Sequence, residues 1–205
     1  MSDVAEALTG EAILAATEEV LRRYGPAKAT VVDVAKALGV SHGSVYRHFP
    51  TKAALREAVT RRWLDAIHVE MESVLDANAS ASDNLRAWLQ QLFDRKRRSH
   101  LDEPELFATY RVLVSESSLV PGYHVGHLVG QVARIISAGV ETQEFVTGDV
   151  QQTAQAVWDA TDMFHHPAHA QEWGNPHIQA AFDAVVSLVI AGLRYNRIPS
   201  AAGDA

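Results

Sequence analysis

Residues 30–52 read TVVDVAKALGVSHGSVYRHFPTK, a stretch whose spacing predicts two short helices joined by a tight turn and followed by the start of a third. Thr30 is placed to cap a helix whose inward residues are Val34, Ala35 and Leu38, with Asp33 in its first turn favouring the helix dipole. Gly39 stands where a helix ends in a left-handed residue, Val40 fills the corner, and Ser41 is placed to cap the second helix. In that helix only Val45 and Phe49 are strongly apolar, so His42, Gly43, Ser44, Arg47 and His48 are left to point away from the core. Pro50 stops the helix, because the residue before a proline is pushed out of the helical region. Thr51 caps the next helix and puts Lys52 in its first turn, where a cation opposes the dipole unless an anion such as a phosphate sits there. A helix end so exposed and so flanked by positive charge suits the major groove of DNA.

Helix, turn and helix is a common unit, and the glycine turn alone is weak evidence. The order of Thr30, Asp33-Val34-Ala35, Leu38-Gly39-Val40-Ser41, Gly43-Ser44-Val45-Tyr46, Phe49, Lys52 and Leu55 is far more specific. It resembles the tetracycline-repressor (TetR) family of bacterial transcription regulators, in motif over about the first 65 residues and beyond them in architecture. The resemblance implies roles. Thr30, Tyr46 and Lys52 hold phosphates, which sets register without reading sequence. Ser41, His42, Gly43 and Ser44 face base edges, with His42 the leading discriminator and Gly43 allowing close backbone approach. Arg47 reads guanine or holds phosphate, and His48 is a further phosphate donor. The implied partners are a second copy of the chain, a palindromic double-stranded operator with half-sites about 34–36 Å apart, and a small-molecule effector whose binding releases the DNA. Repression rather than activation follows family habit.

Charge placement agrees. The net charge is −7, yet between Lys36 and Arg62 six basic residues (Lys36, Arg47, Lys52, Arg56, Arg61, Arg62) face one acid, Glu57, whereas residues 71–205 hold 16 acids and nine bases. A basic patch on an acidic body orients a molecule in the field of a duplex. The absence of cysteine excludes disulfides and thiolate metal sites and fits a reducing cytoplasm. Neither a signal peptide nor a membrane span is expected from the hydrophobic pattern.

Helical periodicity runs through nearly the whole chain, so the expected fold is all-α with about nine helices. The division expected is 1–54 for a three-helix DNA-binding domain (helix-turn-helix about 30–49), 55–198 for a helical ligand-binding and dimerisation domain, and 199–205 for a disordered tail. A first helix over Glu11–Tyr24 ends at Gly25-Pro26. A long fourth helix carries Leu55, Val59, Trp63, Ile67, Met71 and Leu75 at steps of four, and a loop covers 77–83. A fifth helix, about Asp83–Arg98, ends in Arg95-Lys96-Arg97-Arg98, read as cations complementing a helix C-terminus. Later helices start near Pro104, Gly122, Thr147 and Asn175. The last carries Ala180, Ala181, Ala184, Ala191 and Gly192 among branched apolars, which permits close approach, and the resemblance implies that the two C-terminal helices form a four-helix dimer interface.

Trp88, Phe93, Phe107, Tyr110, Trp158 and Phe164 are candidates to line an effector pocket, with ordinary core as the plain reading of each. Eight of the ten histidines lie outside the recognition helix. His124, His127, His165 and His166 are candidate nitrogen ligands, with His169 close by and Asp159, Asp162 or Glu172 as carboxylate partners. The favoured reading has His165 and His166 capping a helix end, so no metal or other cofactor is expected. A metal-responsive regulator and a non-catalytic helical adaptor are the alternatives. Catalysis is not expected: Ser41-His42 and Ser99-His100 lack a nucleophile setting, and no phosphate loop or dinucleotide fingerprint occurs.

Overall fold

The computed structural model describes residues 8–75, 78–116 and 119–195; the tail expected at 199–205 lies outside them. Nine α-helices and two 3-10 segments occur among the described residues, with no strand. In chain order the helices are α1 (Gly10–Lys28), α2 (Val31–Ala37), α3 (His42–His48), α4 (Lys52–Glu72), α5 (Ala81–Asp102), α6 (Pro104–Ser115), α7 (Leu119–Glu141), α8 (Val150–Ala160) and α9 (Ile178–Tyr195). The 3-10 segments, Asp162–Phe164 and Pro167–Gly174, join α8 to α9.

The chain divides into two compact units, residues 1–66 with 99–124 and residues 67–98 with 125–205. This differs from the division at residue 54. The first unit takes in α6, which packs along α1 and buries Leu106, Phe107, Tyr110 and Leu113. Glu103, just ahead of α6, accepts from the Trp63 indole (3.1 Å) and lies 3.6 Å from the Arg22 guanidinium. The buried face of α1 is Ile13, Leu14, Thr17, Val20 and Leu21. Tyr24, expected on that face, is instead exposed, with the Arg23 guanidinium over its ring. Regular α1 geometry breaks at Gly25 (φ 71°, ψ 168°), as Gly25-Pro26 predicted, and one further turn follows. A side chain at Gly25 would also collide with the Glu105 carboxylate.

In the second unit α5 begins at Ala81 and runs past Arg98. Glu144 accepts from the backbone N–H groups of Ala81 (2.7 Å) and Ser82 (3.1 Å), adding to the local cap in which the Ser80 hydroxyl accepts from the Asp83 amide (3.1 Å), and pairs with Arg194 (3.2 Å). Burial alone would raise the Glu144 pKa, but the hydrogen bonds from Ser82, Arg194 and the two amides bring it below the ordinary carboxylate value. The basic run 95–98 therefore lies inside the helix and does not end it. Its cations have other partners: Arg95 and Arg98 lie 3.1 and 2.9 Å from Glu70, Arg97 lies over the Phe93 ring, and Lys96 is buried.

The core of this unit includes Trp88, which donates to Gln131 Oε1 (2.9 Å), and a Phe93–Phe164–Phe182 cluster with ring centroids 5.2–5.5 Å apart. Helix α9 buries Ile178, Phe182, Val186, Ile190 and Leu193.

Candidate nucleic-acid interface

Three N-caps and one glycine build the reading head. At the start of α2, Thr30 Oγ1 accepts from the Asp33 amide (3.2 Å) while the Asp33 carboxylate accepts from the Thr30 amide (3.1 Å), a reciprocal capping box. The Thr30 hydroxyl also donates to Asp33 Oδ2 (2.6 Å). A phosphate contact from Thr30 must therefore compete with a carboxylate already in place, a cost that the spacing alone did not reveal.

At the end of α2, the Val40 amide donates to the Ala35 carbonyl (3.0 Å) and the Gly39 amide to the Lys36 carbonyl (3.2 Å). With Gly39 at φ 67°, these bonds form a Schellman ending. The turn aims α3. There Ser41 Oγ accepts from the Ser44 amide (3.2 Å) and Val45 is the fully buried anchor.

What is left outside is the expected set. Ser41, His42, Gly43, Tyr46, Arg47 and His48 are exposed and Ser44 is half-buried. His42 stands edge-on to Tyr46 at 6.3 Å. The Ser44 hydroxyl sits between Ser41 Oγ (3.0 Å) and an Arg47 guanidinium nitrogen (3.2 Å). Thr51 Oγ1 accepts from the Ala54 amide (3.0 Å), which puts exposed Lys52 at the first position of α4. Neither α3 nor α4 has an acid in its first turn. Both helix ends thus keep unneutralised positive dipole and N–H groups facing outward.

The basic patch is smaller than the sequence count. Arg56 pairs with Glu116. Arg62 lies 3.2 Å from Glu11 and 3.4 Å from Glu18. Arg61 stacks over Tyr123. Lys36, Arg47 and Lys52 are exposed and remain as the cations available to a phosphate backbone.

The head and the helices behind it both match known families. Residues 13–59 match the family described as bacterial regulatory proteins, tetR family, and residues 81–186 match that described as tetracyclin repressor-like, C-terminal domain. The chain belongs to the TetR family. The nucleoid occlusion factor SlmA of Vibrio atlanticus (strain LGP32) is 33% identical over 81 residues, 39% of this chain and 41% of that protein. An HTH-type transcriptional regulator of Staphylococcus aureus (strain MRSA252) is 33% identical over 66 residues, 31% of this chain and 35% of that one. The match thus spans about two fifths or less of these curated relatives. Among solved structures, the fatty acid degradation regulator FadR of Bacillus halodurans superposes with a TM-score of 0.66 at 18% identity, covering 91% of this chain and 100% of that one. FadR of Bacillus subtilis in complex with stearoyl-CoA gives 0.58 at 17% identity, covering 91% and 98%. At these identities the likeness establishes the fold.

The six aromatic pocket candidates are all buried. Phe107 and Tyr110 pack in the first unit, Phe107 edge-on to His100 and Tyr110 against Trp63 and His124. Trp88, Phe93, Trp158 and Phe164 belong to the second unit. None of the six lines an open cavity of about 450 Å³ in that unit, whose walls include Leu75, Ala81, Asn84, Arg134, Ile135 and Glu144.

The histidines separate likewise. His124 is buried against Tyr110, and His127 stacks on His68 with ring centroids 4.1 Å apart. His165 lies on Trp158 (3.9 Å between rings) with Nε2 3.1 Å from the Trp158 carbonyl. A carbonyl only accepts, so the proton is on Nε2, and this ring closes the end of α8. Burial drives its pKa down to about 3 despite the bond to Trp158, with Lys96, His166 and His169 adding to the fall.

Proposed function

We propose that this TetR-family chain is a dimeric DNA-binding transcriptional regulator that represses from a palindromic operator and releases it on binding a small effector. The observation that carries the reading is the uncovered N-terminal turn of α3, Ser41 to Ser44, beside Lys52 at the start of α4, with no acid in either first turn. In this reading His42 and Ser44 meet base edges, and Gly43 lets the backbone come close. Arg47, tethered to the Ser44 hydroxyl, leans toward the base-reading end of α3 and donates to guanine. Tyr46, His48 and Lys52 hold phosphates, and Thr30 joins them only by giving up its bond to Asp33.

Helix α9 supports the dimer. Among the described residues it is the one helix long and apolar enough to cross a membrane, yet only 28% of it is buried. Its exposed residues Ala181, Ala184, Leu188, Ala191 and Tyr195 recur at alternating steps of three and four, with Leu188 73% and Tyr195 82% exposed. That is the seam of a helix pair, and two copies of this seam close on each other about a twofold axis. Small residues along it permit close packing.

The effector in this reading is apolar or aromatic and enters by parting the Trp88, Phe93, Trp158 and Phe164 layer. It acts only through different affinities for the DNA-binding and released states. Selection of bound fragments from random duplexes, repeated with candidate effectors including fatty acyl-CoA, tests the whole proposal. The expected result is a palindromic consensus with salt-sensitive affinity. Recovery of no enriched sequence at low salt sinks it.

A further inference from the structure

The turn between α8 and α9 gathers three side chains that the DNA-reading and effector proposals leave unused. Asp162 opens the first 3-10 segment, His166 precedes the second as its N-cap, and His169 lies within it. A 3-10 helix has three residues per turn, so His166 and His169 fall on one side. The His166 amide donates to the Asp162 carbonyl (2.9 Å) and the His169 amide to the His166 carbonyl (3.0 Å), which folds the aspartate back over the same side. The buried Trp173 indole donates to the Met163 carbonyl (2.9 Å), tying the two segments together. One carboxylate oxygen and two imidazole nitrogens result, no more than 4.8 Å from one another and all half-buried. His169 Nε2 and Asp162 Oδ2 are 3.2 Å apart. Ligands about 2.0–2.1 Å from a tetrahedral zinc ion are separated by roughly 3.3 Å, so this pair already has the required edge.

We propose that Asp162, His166 and His169 form a three-ligand site for a first-row divalent transition metal, with the fourth position open to water. Two imidazoles and one carboxylate select zinc, cobalt, nickel or copper over magnesium or calcium, which take all-oxygen shells. Binding draws His166 inward by side-chain rotation. His166 Nδ1 now accepts from the Ala168 amide at 3.3 Å, a long bond. A ligating imidazole has its one remaining ring nitrogen protonated. Whichever nitrogen takes the metal, that bond is therefore given up. The metal replaces a weak cap with a clip across residues 162–169, directly ahead of α9. This site does not depend on the DNA-binding reading, and DNA affinity measured in chelator is a separate readout.

The test uses the untagged full-length protein stripped with chelator and titrated with cobalt(II) and zinc(II). Expected are one equivalent per chain, visible d–d absorption of a low-coordinate cobalt site, a zinc-dependent rise in melting temperature, and a zinc-dependent shift of the Ala168 amide resonance. Asp162→Asn and His169→Ala should each weaken binding by more than about tenfold, the lower end of losses seen even for outer-shell changes. His177→Ala, on a histidine outside the cluster, should leave binding unchanged. Asp162→Asn also guards against a histidine variant that fails to fold. Cobalt or zinc binding that is equally tight in wild type, Asp162→Asn and His169→Ala overturns the proposal, as does the absence of any stoichiometric binding.

Discussion

Arg47 donates a guanidinium N–H to the Ser44 hydroxyl over 3.2 Å, one turn back along α3. The long side chain is thereby held toward Ser41 and His42 and does not trail along the helix axis. If that tether aims Arg47 at a guanine, Arg47→Ala should cost about 1–3 kcal/mol and relax preference at one base position of each half-site. Binding to a library of operator variants measures this. A uniform loss across all variants would move Arg47 to the phosphate set.

Lys52 gives the contrasting signature. It stands exposed at the first position of α4 beside the Thr51 cap, and in the proposed reading its charge holds a phosphate and reads no base. Lys52→Ala should weaken all sequences alike and flatten the slope of log affinity against log salt by about one unit. Titrations at several salt concentrations, on specific and scrambled duplexes, check both halves of the statement.

The two glycines of the reading head separate folding from recognition. A Cβ at Gly39 would meet nothing within 4 Å, so the position demands glycine through its φ of 67° and not through space. Gly39→Ala should destabilise the fold by about 1–2 kcal/mol, the cost of a left-handed alanine. Gly43 is helical and has room, its nearest neighbour being Ser41 Oγ at 3.7 Å. Gly43→Ala should therefore raise stability by up to about 1 kcal/mol while weakening operator binding, because in the proposed reading the methyl group stands between the backbone and the DNA. Melts and binding isotherms that moved in the same direction for Gly43→Ala would remove the close-approach role.

The reading head was legible because its signals are local. The cap at Thr30, the left-handed Gly39 and the stop at Pro50 each act within five residues, and the bonds around them confirm it. What the sequence hid is non-local. Nothing near residue 106 announces that α6 packs on α1, so the first unit runs beyond the boundary at residue 54. The run Arg95 to Arg98 looked like a helix end because its partner Glu70 lies a helix away, and because Glu144, 63 residues from Ala81, caps α5 at the other end. Charge counting overstated the basic patch for the same reason, since Arg56 and Arg62 are neutralised by Glu116, Glu11 and Glu18.

Lys96 carries a pH dependence. Burial, and secondarily the charge of Arg95, lowers its pKa from 10.5 to about 7. Between about pH 7 and 10.5 the unfolded chain binds the proton more tightly than the folded one. Stability from this group therefore rises with pH across that window, and its full penalty is present below pH 7. Lys96→Met keeps the stem and removes the charge. It should raise stability at pH 6 and remove this group's contribution to the rise toward pH 10, as read from urea midpoints at several pH values.

Leu188 tests the dimer and its link to recognition together. It lies at the middle of the exposed α9 seam, between Ala184 and Ala191. If a second copy covers that seam, Leu188→Glu places two carboxylates in an apolar interface about the twofold axis. The expected penalty is about 3 kcal/mol or more, over a hundredfold in dimer affinity. The helix itself is unaffected on its outer face, so the monomer should retain its helical circular dichroism. Sedimentation should then show a monomer at concentrations where the wild type is dimeric. A lone reading head also loses the effective concentration supplied by its partner, so this variant should bind a full palindrome little better than a single half-site. A variant that stayed dimeric and kept full operator affinity would place the subunit contact elsewhere than on α9.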